Sequence, residues 1–499
     1  MNRLFASLCG LIVLASAGPA LAAAHPTPTP SPAAMPTPSA ASSPTPAPGA
    51  SATPMTLGIP QNLTTYPPDT SGRYGIPYTS SPVPLSLQDA KMIAVKQSPQ
   101  LALARAAANL AGAQLETANS AAFPQINGSG TFQRNRGQSR TGATVGAIAP
   151  NIFTSNSVQA EVTQLIFDGG ATYARMSQAR FSRDAAELSS LRQVDVVLFN
   201  VASLYYSALQ ARYAYQVAIA NTKLAQVQEQ LVEAQYRAGV ASHADVLTAQ
   251  LPVAQAQLAE AQAANGESSQ IAALLNAMGL PSDTPVQLSD TFAQTAPPLP
   301  AYASVEATAQ THRYDLASAQ AALTSAERGV RAARAGRYPI ISGFGTIGSA
   351  TGGVDSAGNI VNNGGNWVAT YSFGANVSMP LYDSGLINGQ IAAAEANTET
   401  ASANLDSTAL GVSLNVRQAY LSAQTALAAV TSARAELDQA QTVLDVTNAQ
   451  YKAGVTTLVL LLNAQTGLTK ARGDYVNALF GLYTAEQNLF FAEGTIAGR

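Results

Sequence analysis

The sequence QYRAGV at residues 235–240 recurs as QYKAGV at residues 450–455, which lie 215 residues further along the chain. Other landmarks recur at the same offset: Phe-Pro at 123–124 as Tyr-Pro at 338–339, and Phe-Asp-x-Gly at 167–170 as Tyr-Asp-x-Gly at 382–385. One offset shared by landmarks so far apart leaves no room for a net insertion between the copies. The chain is therefore predicted to contain two copies of one structural unit.

Each copy is predicted to be mainly helical. An alanine-rich segment comes first, and after the Asp-x-Gly landmark a helical pattern continues for about 100 Å at 1.5 Å per residue. The Ala-Gly-Val break then ends this helix, and another helix returns beside it. The predicted helices span residues 100–122, 171–237 and 244–278 in the first copy, and 315–337, 386–452 and 458–491 in the second.

The long helices carry a heptad-like seam, which favours packing against neighbouring helices. Its residues are Leu198, Val201, Tyr205, Ala208, Tyr215 and Ile219 in the first copy, and Val416, Tyr420, Ala423, Leu427 and Val430 in the second. The same seam is compatible with a plain structural coiled coil.

Two β-like segments lie between the first and second helices of each copy, around a loop rich in Gly, Asn and Ser. Residues 367–379 alternate strictly, with Trp367, Tyr371 and Phe373 on one face and small polar residues on the other. Residues 158–167 and 126–133 alternate in a matching way. The prediction is four strands per chain, in a soluble half-buried sheet or in a membrane.

The composition excludes several classes of function. Charged residues are 11% of the chain and the net charge is −3, so there is no basic surface for nucleic acid. Three histidines and one cysteine leave no material for a zinc site or a His-based catalytic centre. Nucleophile-elbow, zinc-protease and P-loop motifs are absent, so neither enzymatic activity nor a cofactor is expected.

The first 24 residues have the pattern of a secretory signal peptide: Arg3, an apolar stretch, and a small-x-small site at residues 20–22. The single cysteine, Cys9, lies inside this segment and follows the bulky Leu8, so neither a disulfide nor a lipid anchor is expected in the mature chain. Residues 25–84 hold 16 of the 28 prolines and are predicted to be a disordered spacer. The expected boundaries are a signal peptide (1–24), the spacer (25–84), a first repeat (85–280), a linker (281–300), a second repeat (301–494) and a C-terminal end (495–499).

Four strands cannot close a transmembrane barrel alone, since about eight are the minimum, and open strand edges are not tolerated in lipid. Either the strands form a soluble sheet or several subunits pool them. At this point the chain resembles the TolC-like outer-membrane efflux proteins, the outer membrane factors of tripartite efflux or type I secretion systems. The duplicated aromatic-Pro pairs, the Asp-x-Gly turns and the Ala-Gly-Val hairpin tips carry the resemblance, over residues 85–494.

The resemblance implies a homotrimer with a twelve-strand β-barrel shared by the three subunits and a trimeric α-barrel tunnel. It also implies a place in the outer membrane of a Gram-negative bacterium, with the tunnel in the periplasm. Such proteins are passive exit ducts that an adaptor (membrane fusion) protein connects to an inner-membrane pump.

The resemblance further implies roles for particular residues. Adaptor contacts fall on the hairpin tips, at Gly239, Val240, Gly454 and Val455, and the strand-to-helix turns at Asp168, Gly170, Asp383 and Gly385. Relatives with an acidic gate carry aspartates six and nine residues after the second tip glycine. Here those positions are Leu460 and Asn463, and in the first copy Asp245 is six residues after Gly239. The candidate constriction residues are therefore Asp245, Leu460 and Asn463.

One alternative stays open at this stage. An exported coiled-coil or adhesin-like surface protein without transport activity would also have long helices and a proline-rich spacer. It would not require strands at the same positions in both copies. The cargo of a duct, whether drugs, metal ions, siderophores or polypeptides, has no signal in the sequence.

Overall fold

The structure, a computed structural model of the full chain, describes residues 83–140, 148–290, 299–351, 353–354, 360–361 and 366–498. These residues belong to one compact unit, Asp69–Arg499. The predicted signal peptide and most of the predicted spacer lie outside the described residues.

Eight helices in this part of the chain follow the duplication. Each helix of the second copy begins and ends 215 residues after its counterpart, as the repeated landmarks predict. The helices are α1 (Leu87–Gln97), α2 (Pro99–Ser120), α3 (Ala171–Arg237) and α4 (His243–Met278), then α5 (Tyr302–His312), α6 (Tyr314–Ala335), α7 (Leu386–Lys452) and α8 (Leu458–Glu493), with a final 3-10 turn at Ile496–Gly498.

The strands are grouped into three sheets. They are β1 (Val83–Leu85), β2 (Gln125–Arg140), β3 (Ile148–Phe167), β4 (Val286–Leu288), β5 (Ile340–Thr351), β6 (Gly353–Val354), β7 (Ile360–Val361) and β8 (Val368–Ser378). The main sheet has the order β2-β3-β5-β8, with every pair antiparallel. Because β3 pairs with β5, both copies contribute to a single sheet.

A small parallel sheet lies outside the predicted boundaries of the repeats. Strand β1 begins in the segment that the sequence assigned to the disordered spacer, and it pairs with β4, which lies in the predicted linker. The Tyr205 hydroxyl donates a hydrogen bond of 2.9 Å to the carbonyl oxygen of Leu85. These ordered residues correct both boundaries, and three-residue strands are too short to show a periodic pattern.

The largest hydrophobic core lies where α1, α3, α4 and the later part of α8 meet. Tyr205, Leu274, Leu275, Met278 and Phe480 are almost fully buried there. The predicted seam of α3 is buried from Leu198 to Ala208, but Ile219 is 41% exposed. Ile219 is therefore not a core residue within one chain, because α3 continues beyond the helices that cover it.

One described helix, α3, is long and apolar enough to cross a membrane by length and composition. Half of its most apolar 18-residue window is buried inside the protein. The core helix of a folded domain has the same properties, so this window is explained by the packing of α3.

Candidate functional site

The main sheet has one apolar and one polar face. Register places Ala160, Ile347 and Tyr371 side by side across three strands. The next positions along, Glu161, Thr346 and Ser372, lie on the opposite face, where Thr346 and Ser372 share a 2.7 Å hydrogen bond. Successive strand residues point to opposite sides, so this register separates the two chemistries. The polar face suits water and the apolar face suits lipid.

The apolar face is uncovered in a single chain. Phe373 is 84% exposed and Tyr371 is 80% exposed, and Ile126, Phe132 and Ile347 are similarly open. Contiguous apolar surface of this kind marks a membrane or protein contact. The outer strands β2 and β8 also have no partner strand on their outer sides among the described residues. Such edges are not tolerated in lipid unless another subunit pairs with them.

Each long helix begins at a turn built by an aspartate. The Asp168 carboxylate accepts hydrogen bonds from the Gly170 and Thr172 amides, at 3.0 and 2.6 Å. In the second copy, Asp383 accepts from Gly385 and Ile387 at 3.0 and 2.8 Å. These carboxylates satisfy amide groups that the first turn of a helix leaves unpaired. The four predicted turn residues are thus brought together in two equivalent caps.

A further turn residue, Gly169, was not singled out by the sequence. A Cβ at this position would lie 2.6 Å from the Cβ of Tyr338, so the aromatic residue of the second copy packs directly against the first turn. The second copy has Ser384 here, with φ of 54°. The difference between the two copies was the available signal.

The two hairpin tips have the same backbone geometry. Gly239 and Gly454 adopt positive φ values of 76° and 72°. The amides of Val240 and Val455 donate to the carbonyl oxygens of Gln235 and Gln450, at 2.9 and 3.0 Å. With the shorter glycine hydrogen bonds, this is the Schellman end of a helix.

Apolar side chains project from both tips. Val240 is 80% exposed and Val455 is 76% exposed, although a Schellman turn is usually accompanied by a hydrophobic contact at this position. The two tips also contact one another, because the Tyr451 hydroxyl donates a 2.9 Å hydrogen bond to Oε1 of Gln235. The structure therefore brings the four predicted tip residues into one end of the molecule.

Asp245 is engaged in a helix cap. Its carboxylate accepts from the backbone amide of Ser242 at 2.9 Å, and its own amide donates to the Ser242 hydroxyl at 3.2 Å. The Ser242 hydrogen bonds hold the pKa of Asp245 below its usual value. Burial, and then the charge of Asp245, raise the pKa of Tyr451 in the other hairpin.

Leu460 occupies the position in α8 that Asp245 has in α4. The Thr457 hydroxyl still accepts from the Leu460 amide at 3.4 Å, but leucine cannot complete the reciprocal half of the cap. Leu460 is 55% exposed, and Leu460 and Asn463 line a shallow groove between α7 and α8 with Val443. The second hairpin thus presents neutral side chains at both candidate constriction positions.

A buried charge cluster joins the two copies, and sequence analysis missed it. Nη1 of Arg192 lies 3.5 Å from Oδ2 of Asp195, and Nε of Arg192 lies 3.7 Å from Oδ2 of Asp315. Arg313 pairs with Asp315 and donates to the Ala492 carbonyl oxygen at 3.3 Å. Burial raises the pKa of Asp195 to about 6, and the Arg192 charge opposes this shift.

The described residues contain no group of three or more His, Cys, Asp or Glu side chains placed to hold a metal ion. The geometry is instead that of a wall: a sheet with unlike faces at one end, helices of 67 residues, and paired tips at the other end.

Comparisons with known proteins give the same architecture. The Campylobacter jejuni CmeC outer membrane channel superposes with a TM-score of 0.71 at 18% identity, over 82% of this chain and 85% of that one. The outer membrane protein VceC from Vibrio cholerae superposes with a TM-score of 0.67 at 19% identity, over 82% and 96%. The fold is therefore that of outer-membrane channels with long helical hairpins.

Sequence relatives extend over most of the chain. Protein CyaE of Bordetella pertussis is 26% identical over 418 residues, 83% of this chain and 84% of that protein. The outer membrane protein TolC of Salmonella enteritidis is 31% identical over 123 residues, a quarter of each chain. The sequence model of one family, described as outer membrane efflux protein, matches residues 93–280 and 307–495, one segment in each copy. The chain therefore belongs to the outer membrane efflux protein family.

Proposed function

We propose that this chain is one subunit of a homotrimeric exit duct in the outer membrane, which conducts substrates passively from the periplasm to the exterior. The observation that carries the proposal is the main sheet, which has an exposed apolar face, a polar face and two unpaired edges. Three such sheets would supply twelve strands, more than the about eight that a membrane barrel needs. Closure would place the apolar faces against lipid and the polar faces around water.

The long helices would build the periplasmic part of the duct. At 1.5 Å per residue, the 67 residues of α3 and of α7 reach about 100 Å. Such helices suit a tunnel wall better than a free coiled coil, because Asp168 and Asp383 attach them rigidly to the sheet. The adhesin alternative offers no reason for that attachment.

The adaptor protein of the proposed assembly would dock on the tips. Gly239 and Gly454 turn the chain, and Val240 and Val455 present apolar surface that has no covering residue nearby in the hairpins. A neighbouring protein that covered these valines would gain the hydrophobic contact that each Schellman turn lacks. We therefore assign adaptor contact to these four residues and the turns around them.

The periplasmic constriction would be neutral. In a threefold tunnel each inward residue forms a ring of three, so Leu460 and Asn463 would give an apolar ring and a polar uncharged ring. Asp245 remains ionised, but its carboxylate is held by Ser242 at the start of α4. A duct of this kind would not concentrate cations at its narrowest point.

The proposal is tested with the full-length protein extracted from outer membranes. We expect a detergent-solubilised complex of three chains that forms discrete ion-conducting pores in planar bilayers. The charge-conserving control is the same protein after heat dissociation, which should not conduct. A water-soluble monomer without pore activity would overturn the proposal.

A further inference from the structure

Strand β2 carries an isolated row of basic residues. Arg134, Arg136 and Arg140 fall within seven residues, while residues 125–160 contain no acidic residue and no other basic one. The duplicated positions in the second copy are Ser349, Thr351 and Asp355. The row is therefore specific to the first copy and is not a requirement of the repeated fold.

Register places the row on the apolar face of the main sheet. The three arginines stand at even positions of β2, as do Ile126 and Phe132, and strand residues of equal parity share a face. Arg134 is exposed. The positions of β3 paired with the row are Thr154, Ile152 and Ile148, so no carboxylate is paired with it across the strands.

The position along β2 also fixes the depth of the row. From Phe123 to Phe132 the chain rises about 31 Å along the strand, which a tilt of roughly 40° reduces to about 24 Å. This is close to the roughly 25 Å height of the apolar band of outer-membrane barrels. Arg134 follows directly after the aromatic Phe132, at the end of the sheet far from the helices.

We propose that Arg134, Arg136 and Arg140 form a binding site for the phosphate groups of lipopolysaccharide in the outer leaflet. The proposal rests on the proposed function, because it requires this end of the sheet to face the exterior. Guanidinium groups bind phosphate through paired charged hydrogen bonds. In a closed barrel, three copies of the row would surround the duct on its lipid side.

The length of the row selects this lipid over a simple phospholipid. Arg134 and Arg140 are six residues apart, which corresponds to a depth of about 16 Å after tilt. A phospholipid carries its phosphate at one depth, whereas a headgroup of phosphorylated sugars offers phosphates at several depths. A row that extends beyond the hydrocarbon boundary matches the second arrangement.

The test measures binding of purified lipopolysaccharide to the detergent-solubilised full-length protein, at several NaCl concentrations. The variant Arg134→Gln with Arg136→Gln removes two charges from the row. A matched control, Arg331→Gln with Arg337→Gln, removes two charges from exposed residues of α6 near the opposite end of the sheet. The pair Arg134→Lys with Arg136→Lys keeps the charge and shows whether the variants still fold.

We expect the glutamine pair to weaken binding about 30-fold, as the loss of two surface charges near anionic lipid predicts. The control pair should bind like the wild type, and the lysine pair should keep most of the affinity. Dephosphorylated lipopolysaccharide and phosphatidylglycerol should bind the wild type no better than lipopolysaccharide binds the glutamine pair.

Three results would overturn the inference. They are unchanged binding by the glutamine pair, an equal loss in the control pair, or a changed anion-to-cation selectivity of the pore in the glutamine pair, which would place the row in the lumen. Trimer mass and conductance are measured on the same preparations. If these fail in the wild type, the proposed function is wrong; if they hold while lipopolysaccharide binding is unchanged, only the phosphate site is wrong.

Discussion

Four glycines end the long and returning helices with the same backbone geometry, yet their surroundings differ. Gly239, Gly279, Gly454 and Gly494 have φ values between 72° and 82°. A Cβ at Gly239 or Gly454 would meet nothing within 4 Å, whereas one at Gly279 would lie 2.6 Å from the Gln97 carbonyl oxygen. Backbone strain is therefore common to all four, and steric overlap is confined to the core end of the hairpins.

This contrast gives a stability prediction. Gly239→Ala should destabilise the protein by about 1 kcal/mol, the strain of a left-handed alanine. Gly279→Ala should cost roughly 1–3 kcal/mol more, because the packed Gln97 backbone must move. Thermal unfolding of the two variants measures the difference. Equal losses would show that the Gln97 contact does not constrain this turn.

The exposed valines give a functional prediction at the same scale. Val240→Glu combined with Val455→Glu should abolish export, because a charge would be buried against the adaptor. The trimer should remain in the membrane, since both side chains are exposed. The pair Val240→Ile with Val455→Ile, which keeps the apolar surface, is the control and should export normally. Normal export by the glutamate pair would remove these residues from the docking surface.

Among the elements, the junction of α3, α6 and α8 depends on pH. Between about pH 4 and 6 the folded protein keeps a proton on Asp195 that the unfolded chain has already released, because the folded-state pKa is about 6. The free energy of unfolding therefore falls as the pH rises through this window. Melting temperatures at pH 5 and pH 8 should show this fall in the wild type and a smaller one in Asp195→Asn. The same fall in both proteins would place the titrating group elsewhere.

The tips of α7 and α8 determine the response of the duct to cations. The wild-type pore should be only weakly blocked by polyvalent cations added from the periplasmic side, since Leu460 and Asn463 carry no charge. Leu460→Asp with Asn463→Asp should gain strong block, because six carboxylates would surround the tunnel axis. Planar-bilayer conductance measures the effect, and Asp245→Asn is the control, which should change the wild type little. Strong wild-type block that Asp245→Asn abolishes would contradict the neutral constriction.

For the whole molecule, the sequence predicted whatever was repeated or periodic. The bounds of α3 and α7, at residues 171–237 and 386–452, are as predicted, because an Asp-x-Gly turn begins each helix and an Ala-Gly-Val break ends it. The duplication also predicted the positive φ of both tip glycines.

What escaped prediction lacked a repeated signal. The strands β1 and β4 are three residues long, and the cluster around Asp195 occupies positions that differ between the copies, such as Arg313 against Ser98. Its members are also far apart in sequence. Their contact arises only from the packing of α3 against the second copy.

The central claim is that β8 of one subunit pairs with β2 of the next. Because β8 repeats β3 and β5 repeats β2, the register between β3 and β5, shifted by the duplication, applies to this junction as well. It places Asn376 opposite Thr131 of the neighbouring subunit, on the polar face. Thr131→Cys and Asn376→Cys in one chain should therefore form disulfides between subunits.

The most direct measurement is a denaturing, non-reducing gel of this double variant in a Cys9→Ser background, after oxidation in the membrane. The account predicts covalent trimers that reduction converts to monomers. The control combines Thr131→Cys with Thr346→Cys, which lies on β5 within the same sheet, and it should remain monomeric. Monomers only in the Thr131→Cys, Asn376→Cys variant would contradict the shared barrel.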